Sequence, residues 1–377
     1  MKFSILIPSK NGEKYIRNVI LSVLDQDYKN YEIIVGDNNN NSSFKNILKK
    51  FGSKIKVIKH KKDIPVYDNW QSCLNKAKGD YMIMLGDDDC LLKGALRKLN
   101  NIIIENNKPD CVTVNGISFY DSGCLNNSNK CGYKNLYFDY KLNKIDEGFL
   151  TKKKKEEILK KIFSFKNLLP LNMQPHIISI KYIKKNYKEK IFQAPFPDHY
   201  AIHSLLIKNC KWYVSYNKIV GVGINNKSFG NYFYSNKINE GMSYLGINIK
   251  SFKFDFIPGS VLNNCMLVWL NKLKKNYSYK LKNIKIDRSE YVSRQFFYSI
   301  NCYLNSSLKF TNLINFTLQL SFKDLFFLLK GFFKITYYNK AIAKVINFKS
   351  SKFGIEGIKI IQNKNTNIYK FTREIIK

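Results

Sequence analysis

Residues 1 to about 115 predict an α/β fold, a largely parallel, doubly wound sheet with helices on both faces. Two observations carry this. Short β-rich apolar runs alternate with segments whose apolar residues recur at helical spacing. The polar residues that follow three of those runs would all surface at the carboxyl rim of such a sheet, where ligands bind. Phe3 to Pro8 reads as the first strand, and Tyr15 to Asp25 as a helix with Ile16, Val19, Ile20, Val23 and Leu24 on one face. Tyr31 to Gly36 and Ile55 to Lys59 read as the next two strands. A helix over Trp70 to Lys78 places Trp70, Cys73, Leu74 and Ala77 at i, i+3, i+4 and i+7. The strand Tyr81 to Leu85, a helix near Gly94 to Glu105 and the strand Cys111 to Asn115 complete the alternation.

From Gly116 to Leu150 the sequence is Asn/Gly/Tyr-rich and shows no regular period. Lys152 to Lys155 open a charged helical segment with a solvated face. Pro195-Phe196-Pro197-Asp198 precedes a helix over Ala201 to Lys208, which puts Asp198 at a helix start. Trp212 to Val222 reads as a strand, and Gly223 to Gly230 as a mobile loop in which Lys227 and Ser228 could close over a bound phosphate. We therefore expect one domain over residues 1–240, with halves of about 1–115 and 116–240, and a helical, basic, aromatic-rich region over 241–377. Within that region Leu313 to Tyr338 is apolar, but Lys323, Asp324, Lys330 and Lys334 interrupt it, so it is not expected to span a bilayer. Its lysines line one stripe, and Leu325, Phe326, Leu329, Phe332 and Phe333 lie away from it. Two readings stay open: an interfacial helix on an anionic membrane, or a helix packed on the catalytic domain with lysines outward.

The formal net charge is +35, from 63 Lys+Arg against 28 Asp+Glu, so anionic partners are favoured: nucleotides, nucleic acid or acidic lipid headgroups. Lys, Asn, Ile, Phe and Tyr, the residues of AT-rich codons, are all abundant, and coding bias accounts for part of that charge. The eight cysteines form no Cys-x-x-Cys pair and have no His at zinc-ligand spacing; they read as reduced, cytosolic thiols, although Cys124 and Cys131 lie close enough in sequence for a loop disulfide. The apolar run at the N-terminus is too short for a signal peptide. Against this basic background Asp87, Asp88 and Asp89 stand out. They follow an apolar run and Gly86, where a buried strand would surface, and clustered like charges are costly unless a cation shares them.

The order of motifs resembles the family 2 glycosyltransferases, whose fold is called GT-A. The matching pieces are Ile7-Pro8-Ser9-Lys10-Asn11, then Ser22 to Tyr28, then Tyr31 to Asn39, followed by Asn69, Lys78-Gly79-Asp80-Tyr81 and Leu85-Gly86-Asp87-Asp88-Asp89. The resemblance covers roughly residues 1–230. It implies an inverting enzyme that moves a sugar from a nucleotide-diphosphate donor, UDP-linked by expectation, to a hydroxyl of a bacterial surface glycan such as lipooligosaccharide, lipopolysaccharide or capsule. By position Pro8, Ser9 and Asn11 would sit against the nucleotide, and Asp37 would accept a hydrogen bond from the base. Asn69 and Asp87 would lie along the ribose and diphosphate, and Asp88 or Asp89 would ligate Mg²⁺ or Mn²⁺. Asp198 would be the general base. The family often has Asp where this chain has Gly86 and an aromatic where it has Lys10, so the metal register and the base pocket depart from the pattern.

The chemistry requires such groups. Departure of a diphosphate leaves charge that a carboxylate-held ion neutralises, and the attacking hydroxyl must lose its proton to a base on the opposite face of the sugar. For Asp198 the plainer alternative is an N-cap, and for Asp37 a turn residue. His199 and His203, at i and i+4, share a helical face beside Asp198 but lack further ligands for a zinc site of their own; one of them could approach the donor's ion or diphosphate. His60 and His176 read as ordinary packed or surface residues. The expected partners are a nucleotide-sugar and a glycan or lipid-linked glycan acceptor, with no nucleic acid. The expected location is cytoplasmic, with a peripheral contact on the inner face of the membrane. The rivals are a nucleotidyltransferase, which commonly carries more glycine after the first strand than Ser9-Lys10-Asn11-Gly12, and a polybasic membrane or nucleic-acid binder, which leaves the three aspartates unexplained.

Overall fold

A computed structural model describes residues 1–38, 41–124, 130–134, 138–140, 143–225, 238–248, 256–304, 309–332, 358–361 and 366–374. The described residues divide into two compact units. The first holds residues 1–156, 168–247 and the described part of 357–377, and the second holds 157–167 and the described part of 248–356. The chain thus departs from two consecutive domains split at about residue 240: its last segment returns to the first unit.

In the first unit, β1 (Phe3–Ser9), β2 (Tyr31–Asp37), β3 (Lys56–Lys59) and β4 (Tyr81–Met84) form a parallel group in the order β3-β2-β1-β4. Their sequences are nearly continuous apolar runs because both faces are covered. Phe3, Ile5 and Ile7 line up with Ile33 and Val35 and with Tyr81, Ile83 and Leu85. That face packs against α1 (Ile16–Leu24), α2 (Ser42–Lys49) and α4 (Ala95–Glu105) through Ile16, Val19, Val23, Phe44, Leu96, Leu99 and Ile103. Each such burial contributes roughly 1.5–3 kcal/mol before the cost of ordering the chain. The opposite face of β1 and β2 is covered by α3 (Val66–Lys76), which starts four residues before the expected Trp70, directly after Pro65. β1 is the strand from which the order runs both ways, and in sheets of this kind ligands bind at the carboxyl ends beside such a reversal, here those of β1 and β4.

The second half of the sheet is mixed. The sheet continues from β4 through β9 (His176–Ser179), antiparallel to both β4 and β6 (Cys111–Tyr120), and β10 (Trp212–Ile224) runs parallel to β6. Short antiparallel strands β5 (Cys90–Leu91), β7 (Cys131–Lys134) and β8 (Gly148–Phe149) flank these. β6 is twice as long as expected and runs through Gly116 into the stretch without a period. A Cβ at Gly116 would lie 2.1 Å from the Val220 carbonyl oxygen, so glycine lets the strands approach beside the register shifts of β10. α5 (Lys152–Phe163) is the expected charged helix; α6 (Ile180–Asn186) was not expected, and α7 (Pro197–Ile207) begins four residues early. All eight cysteines are free thiols, including Cys124 and Cys131.

Also in the first unit is α8 (Ile238–Leu245). The second unit is helical, with α9 (Val261–Asn276), α10 (Arg288–Leu304), α11 (Phe310–Leu318) and α12 (Phe322–Phe332). Gln295 knits it together by accepting from Ser260 N at 2.8 Å and donating to the Ser260 carbonyl at 3.2 Å, while the Tyr291 hydroxyl donates to Asn264 at 2.6 Å. The last segment, β11 (Lys359–Ile361) and α13 (Ile368–Glu374), lies in a region expected to be only helical, but β11 pairs with β7 in the first unit. Phe371, fully buried, packs on Phe119 and Tyr133 with ring centroids 5.5 and 4.5 Å apart. Arg373 donates to Asp25 at 2.6 Å, to the Ser22 carbonyl at 2.9 Å and to the Leu91 carbonyl at 3.2 Å.

Candidate active site

Three strand ends meet at this edge of the sheet. β1 and β2 are in register to their last residues, so Ser9 stands opposite Asp37, and Pro8 opposite Gly36. Both Ser9 and Asp37 are buried. Ser9 Oγ donates to Asp87 Oδ2 at 2.5 Å, which joins the β1 end to the acidic turn after β4. Beyond Ser9 the chain turns through Asn11, in the left-handed region at φ 58°, and Gly12, whose carbonyl accepts from Tyr15 and Ile16 to start α1. A Cβ at Gly12 would lie 2.0 Å from Asp87 Oδ2 and 2.2 Å from Ser9 Oγ. Gly12→Ala should therefore break the Ser9–Asp87 contact at a cost of about 1–3 kcal/mol; the midpoint of urea denaturation checks it.

The other wall comes from α3. Asn69, also buried, donates Nδ2 to the Gly36 carbonyl at 3.2 Å, and its Oδ1 lies 3.2 Å from His60 Nε2. Gly36 has no room for a side chain, since a Cβ would lie 2.3 Å from Asn69 Oδ1. Asn38 fastens the following loop, exchanging hydrogen bonds with the backbone N–H and carbonyl of Ile64 at 2.9 and 2.8 Å. Lys10, which departs from the family's usual aromatic, pairs with Asp63 at 3.0 Å.

The three aspartates occupy different positions. Asp89 is buried, and both its oxygens are engaged: Oδ2 accepts from Gly86 N at 2.5 Å and Gln174 Nε2 at 2.8 Å, Oδ1 from Gly223 N at 3.0 Å. It closes the turn on itself and ties it to β10. Asp88 is half-buried; its Oδ2 accepts from Asn225 at 2.6 Å, and its carbonyl lies where a Cβ on Gly223 would approach to 2.0 Å. Asp87 holds Ser9. A side chain at position 86 would meet Asp88 Oδ1 at 2.9 Å and Asp89 Oδ2 at 3.0 Å, so the glycine that departs from the family pattern suits this packing of the carboxylates. Burial pushes Asp87 up to about 6 against the pull of the Ser9 hydrogen bond, and burial likewise raises Asp89 against its three donors.

That crowding is what a divalent cation would relieve. Among the described residues no group of three or more His, Cys, Asp or Glu side chains forms a ready-made cage. The donor set fits the mode common for Mg²⁺, in which one or two carboxylates hold the ion together with substrate phosphate oxygens and water. Asp88 suits that task better than Asp89, because Asp89 would have to give up hydrogen bonds that close the turn. Tyr15 stands beside Asp88, and its hydroxyl is pushed up by burial, by its 2.7 Å bond to Asp121 and by the Asp88 charge.

Asp198 lies on α7, one residue inside the helix, with Phe196 as N-cap; the N-cap alternative does not hold. Its Oδ1 accepts from His199 N at 2.9 Å, and burial raises its carboxyl to about 7. Four residues separate the end of α7 from the start of β10, whose Trp212 stands opposite Cys111 at the start of β6. The preceding segment is pinned to α3 beside Asn69 by Lys190–Asp68 at 2.7 Å and by Phe192 edge-on to Trp70 at 5.4 Å. Asp198 thus belongs to a different element from the acidic turn. His199 Nε2 is 4.0 Å from Asp198 Oδ1, but burial holds that imidazole neutral, near 3, so the two do not form an ion pair. His203 donates Nδ1–H to the His199 carbonyl at 2.7 Å, and burial keeps it neutral too. His176 is fully buried between Thr113 and the Pro170 carbonyl. Lys227 to Gly230, expected as a closing loop, lie outside the described residues.

Gly12, Tyr15, Asp121, Gln174, Gly223 and Asn225 complete the surroundings and were not singled out as site residues from sequence. Only Gly12, just after the first strand, had a local signal.

Residues 4–156, which hold the strand ends and the acidic turn, match the family model described as glycosyl transferase family 2. The chain carries a glycosyl transferase family 2 domain. The α/β sheet with its parallel first half is the GT-A arrangement expected of it. The family 2 domain is 35% identical over 103 residues to the GalNAc(5)-diNAcBac-PP-undecaprenol beta-1,3-glucosyltransferase of Campylobacter jejuni, a match covering 26% of this chain and 33% of that protein. It is 29% identical over 105 residues to the putative teichuronic acid biosynthesis glycosyltransferase TuaG of Bacillus subtilis, covering 27% and 42%. The chain thus spans a third of the length of the first relative and less than half of the second. Among solved structures, S. aureus TarS 1-349 aligns over 97% of this chain and 98% of its own, at 15% identity and a TM-score of 0.49.

Proposed function

We propose that the protein is an inverting, metal-dependent glycosyltransferase that moves a sugar from a nucleotide-diphosphate donor to a hydroxyl of a bacterial surface glycan. The observation that carries this reading is the junction of Ser9, Asp37 and Asp87 on three adjacent strand ends inside a family 2 domain. Pro8, Ser9 and Asn11 would line the nucleotide, Asp37 would meet the base edge, and Asn69 and Asp87 would border the ribose and diphosphate. Asp88 would hold Mg²⁺ or Mn²⁺, which supplies neutralising charge to the departing diphosphate. Asp89 would keep the turn closed behind it. Asp198 would take the proton of the attacking hydroxyl; a carboxylate poised near neutrality suits a general base working near pH 7. The undecaprenol-linked acceptor in the name of the Campylobacter relative supports a lipid-linked glycan acceptor here. The +35 charge supports a peripheral contact with the inner face of the cytoplasmic membrane. Among the described residues no helix is long and apolar enough to cross a membrane.

The test is a thermal-shift screen of nucleotides and sugar nucleotides with and without Mn²⁺, UDP first. A metal-dependent shift is expected, corresponding to about 2.7 kcal/mol at a hundredfold excess over Kd. Asp88→Asn should remove the metal-dependent part and leave the melting point of the free protein unchanged. Release of nucleoside diphosphate on turnover is the expected product; pyrophosphate would identify nucleotidyl transfer, and no response to any nucleotide would sink the reading.

A further inference from the structure

The second unit carries an apolar surface that the proposed sugar transfer does not use. α12 packs on α10 by Asp324, Leu328 and Gly331, at i, i+4 and i+7. Asp324 is paired with Arg288 at 2.8 and 2.9 Å, Leu328 is buried, and a Cβ on Gly331 would lie 1.8 Å from Ser293 Oγ. The opposite face has the same spacing with the reverse exposure: Phe322 is 93% exposed, Phe326 65% and Leu329 59%. α11 extends it with Leu318, 76% exposed, and Ile314, 43% exposed. A helix that turns its acid inward and its aromatic rings into solvent is not ordinary surface.

Charge identifies the occupant. Exposed Lys323 and Lys330 lie on one flank of the apolar face, and exposed Lys309 precedes α11. Asp324, the acid of α12, is turned inward and neutralised by Arg288. In sequence, residues 302–355 hold Lys309, Lys323, Lys330, Lys334, Lys340, Lys344, Lys349 and Lys352 against that single acid. Contact between two copies of this face would bring lysine flanks together, which opposes self-association. α12 has 11 residues, about 16 Å of helix, far short of a bilayer core of roughly 30 Å. Rings and leucines that enter the acyl boundary while flanking lysines reach the headgroups are the pattern of an in-plane helix.

We propose that the outward face of α11 and α12, formed by Ile314, Leu318, Phe322, Phe326 and Leu329 with Lys323 and Lys330 beside them, docks on an anionic lipid surface. This deepens the proposed peripheral membrane contact and is independent of the sugar-transfer chemistry, because the assay contains no sugar. The experiment is co-sedimentation of the full chain with phosphatidylglycerol/phosphatidylcholine vesicles and with phosphatidylcholine alone. Wild type should partition at least about tenfold more strongly onto the anionic vesicles, with the preference lost at high salt. The triple variant F322D/F326D/L329D should lose about tenfold or more in binding with its far-UV circular dichroism and melting point kept, because all three side chains face solvent. K323E/K330E should lose the anionic preference. Wild-type vesicle binding by the triple variant would overturn the proposal. So would equal binding to neutral vesicles, or a triple variant whose only change is conversion from dimer to monomer in sedimentation velocity.

Discussion

Asp198→Asn should reduce turnover by about 10²–10⁴-fold, the usual contribution of a positioned general base, with little change in donor Kd. The amide keeps the size of the side chain and an oxygen able to accept from His199 N, so the helix start is preserved. In the wild type, kcat should fall as pH drops below about 7, because the base must be ionised and burial raises its carboxyl to that value. The same burial has an opposite effect on stability. The folded-state value lies above the ordinary 3.8, so the native protein holds an extra proton between about pH 4 and 7, and Asp198's contribution is lost as pH rises through that window. On the order of 4 kcal/mol is the upper bound for a shift of this size, and the real effect is smaller because the side chain keeps 21% exposure. Asp198→Asn should thus melt above wild type at pH 8, by at least roughly 2 °C, and level with it near pH 4. An inactive variant that is also more stable at high pH distinguishes a catalytic group from a structural one; retained turnover would remove Asp198 as the base.

Removal of residues 358–377 should unfold or severely weaken the family 2 domain, even though these residues are remote from it in sequence. β11 and α13 close over Cys90, Leu92, Ile117, Phe119 and Cys131, and they bury Ile361, Ile368 and Phe371 among them. At roughly 1.5–3 kcal/mol for each buried apolar side chain, the loss is on the order of 5 kcal/mol, comparable with the whole stability of many domains. Phe371→Ala alone should cost about 3–5 kcal/mol, read from the midpoint of urea denaturation. The consequence reaches the site. Arg373 holds the Leu91 carbonyl, two residues beyond Asp89, and the Ser22 carbonyl inside α1. Arg373→Ala should lower metal-dependent nucleotide affinity more than it lowers the melting point, measured by calorimetric titration beside thermal denaturation.

Much of the parallel half of the sheet was legible in sequence because its signals are local. Parallel strands buried on both faces read as unbroken apolar runs, and Phe3–Ser9, Tyr31–Asp37 and Tyr81–Met84 begin where those runs begin. β9, β11 and α6 were not seen: each has seven residues or fewer, too short for a period, and exists because a partner strand or helix is already in place. The start of α7 was missed by four residues because Pro197 and Asp198 suit a first turn as well as a cap.

By itself the sequence determined which strand ends bear polar groups, that three aspartates follow one of them, and that the domain is of the family 2 type. These follow from composition along a few consecutive residues. Only the tertiary structure decided the division of labour among the aspartates, since Gln174, Gly223 and Asn225 reach them from 85 to 137 residues away. It alone decided that the end of the chain supports the acidic turn, and that α12 turns its acid inward and its aromatic rings outward. Hydrogen bonds and burial between residues distant in sequence set those roles, and no local pattern encodes which distant groups will meet.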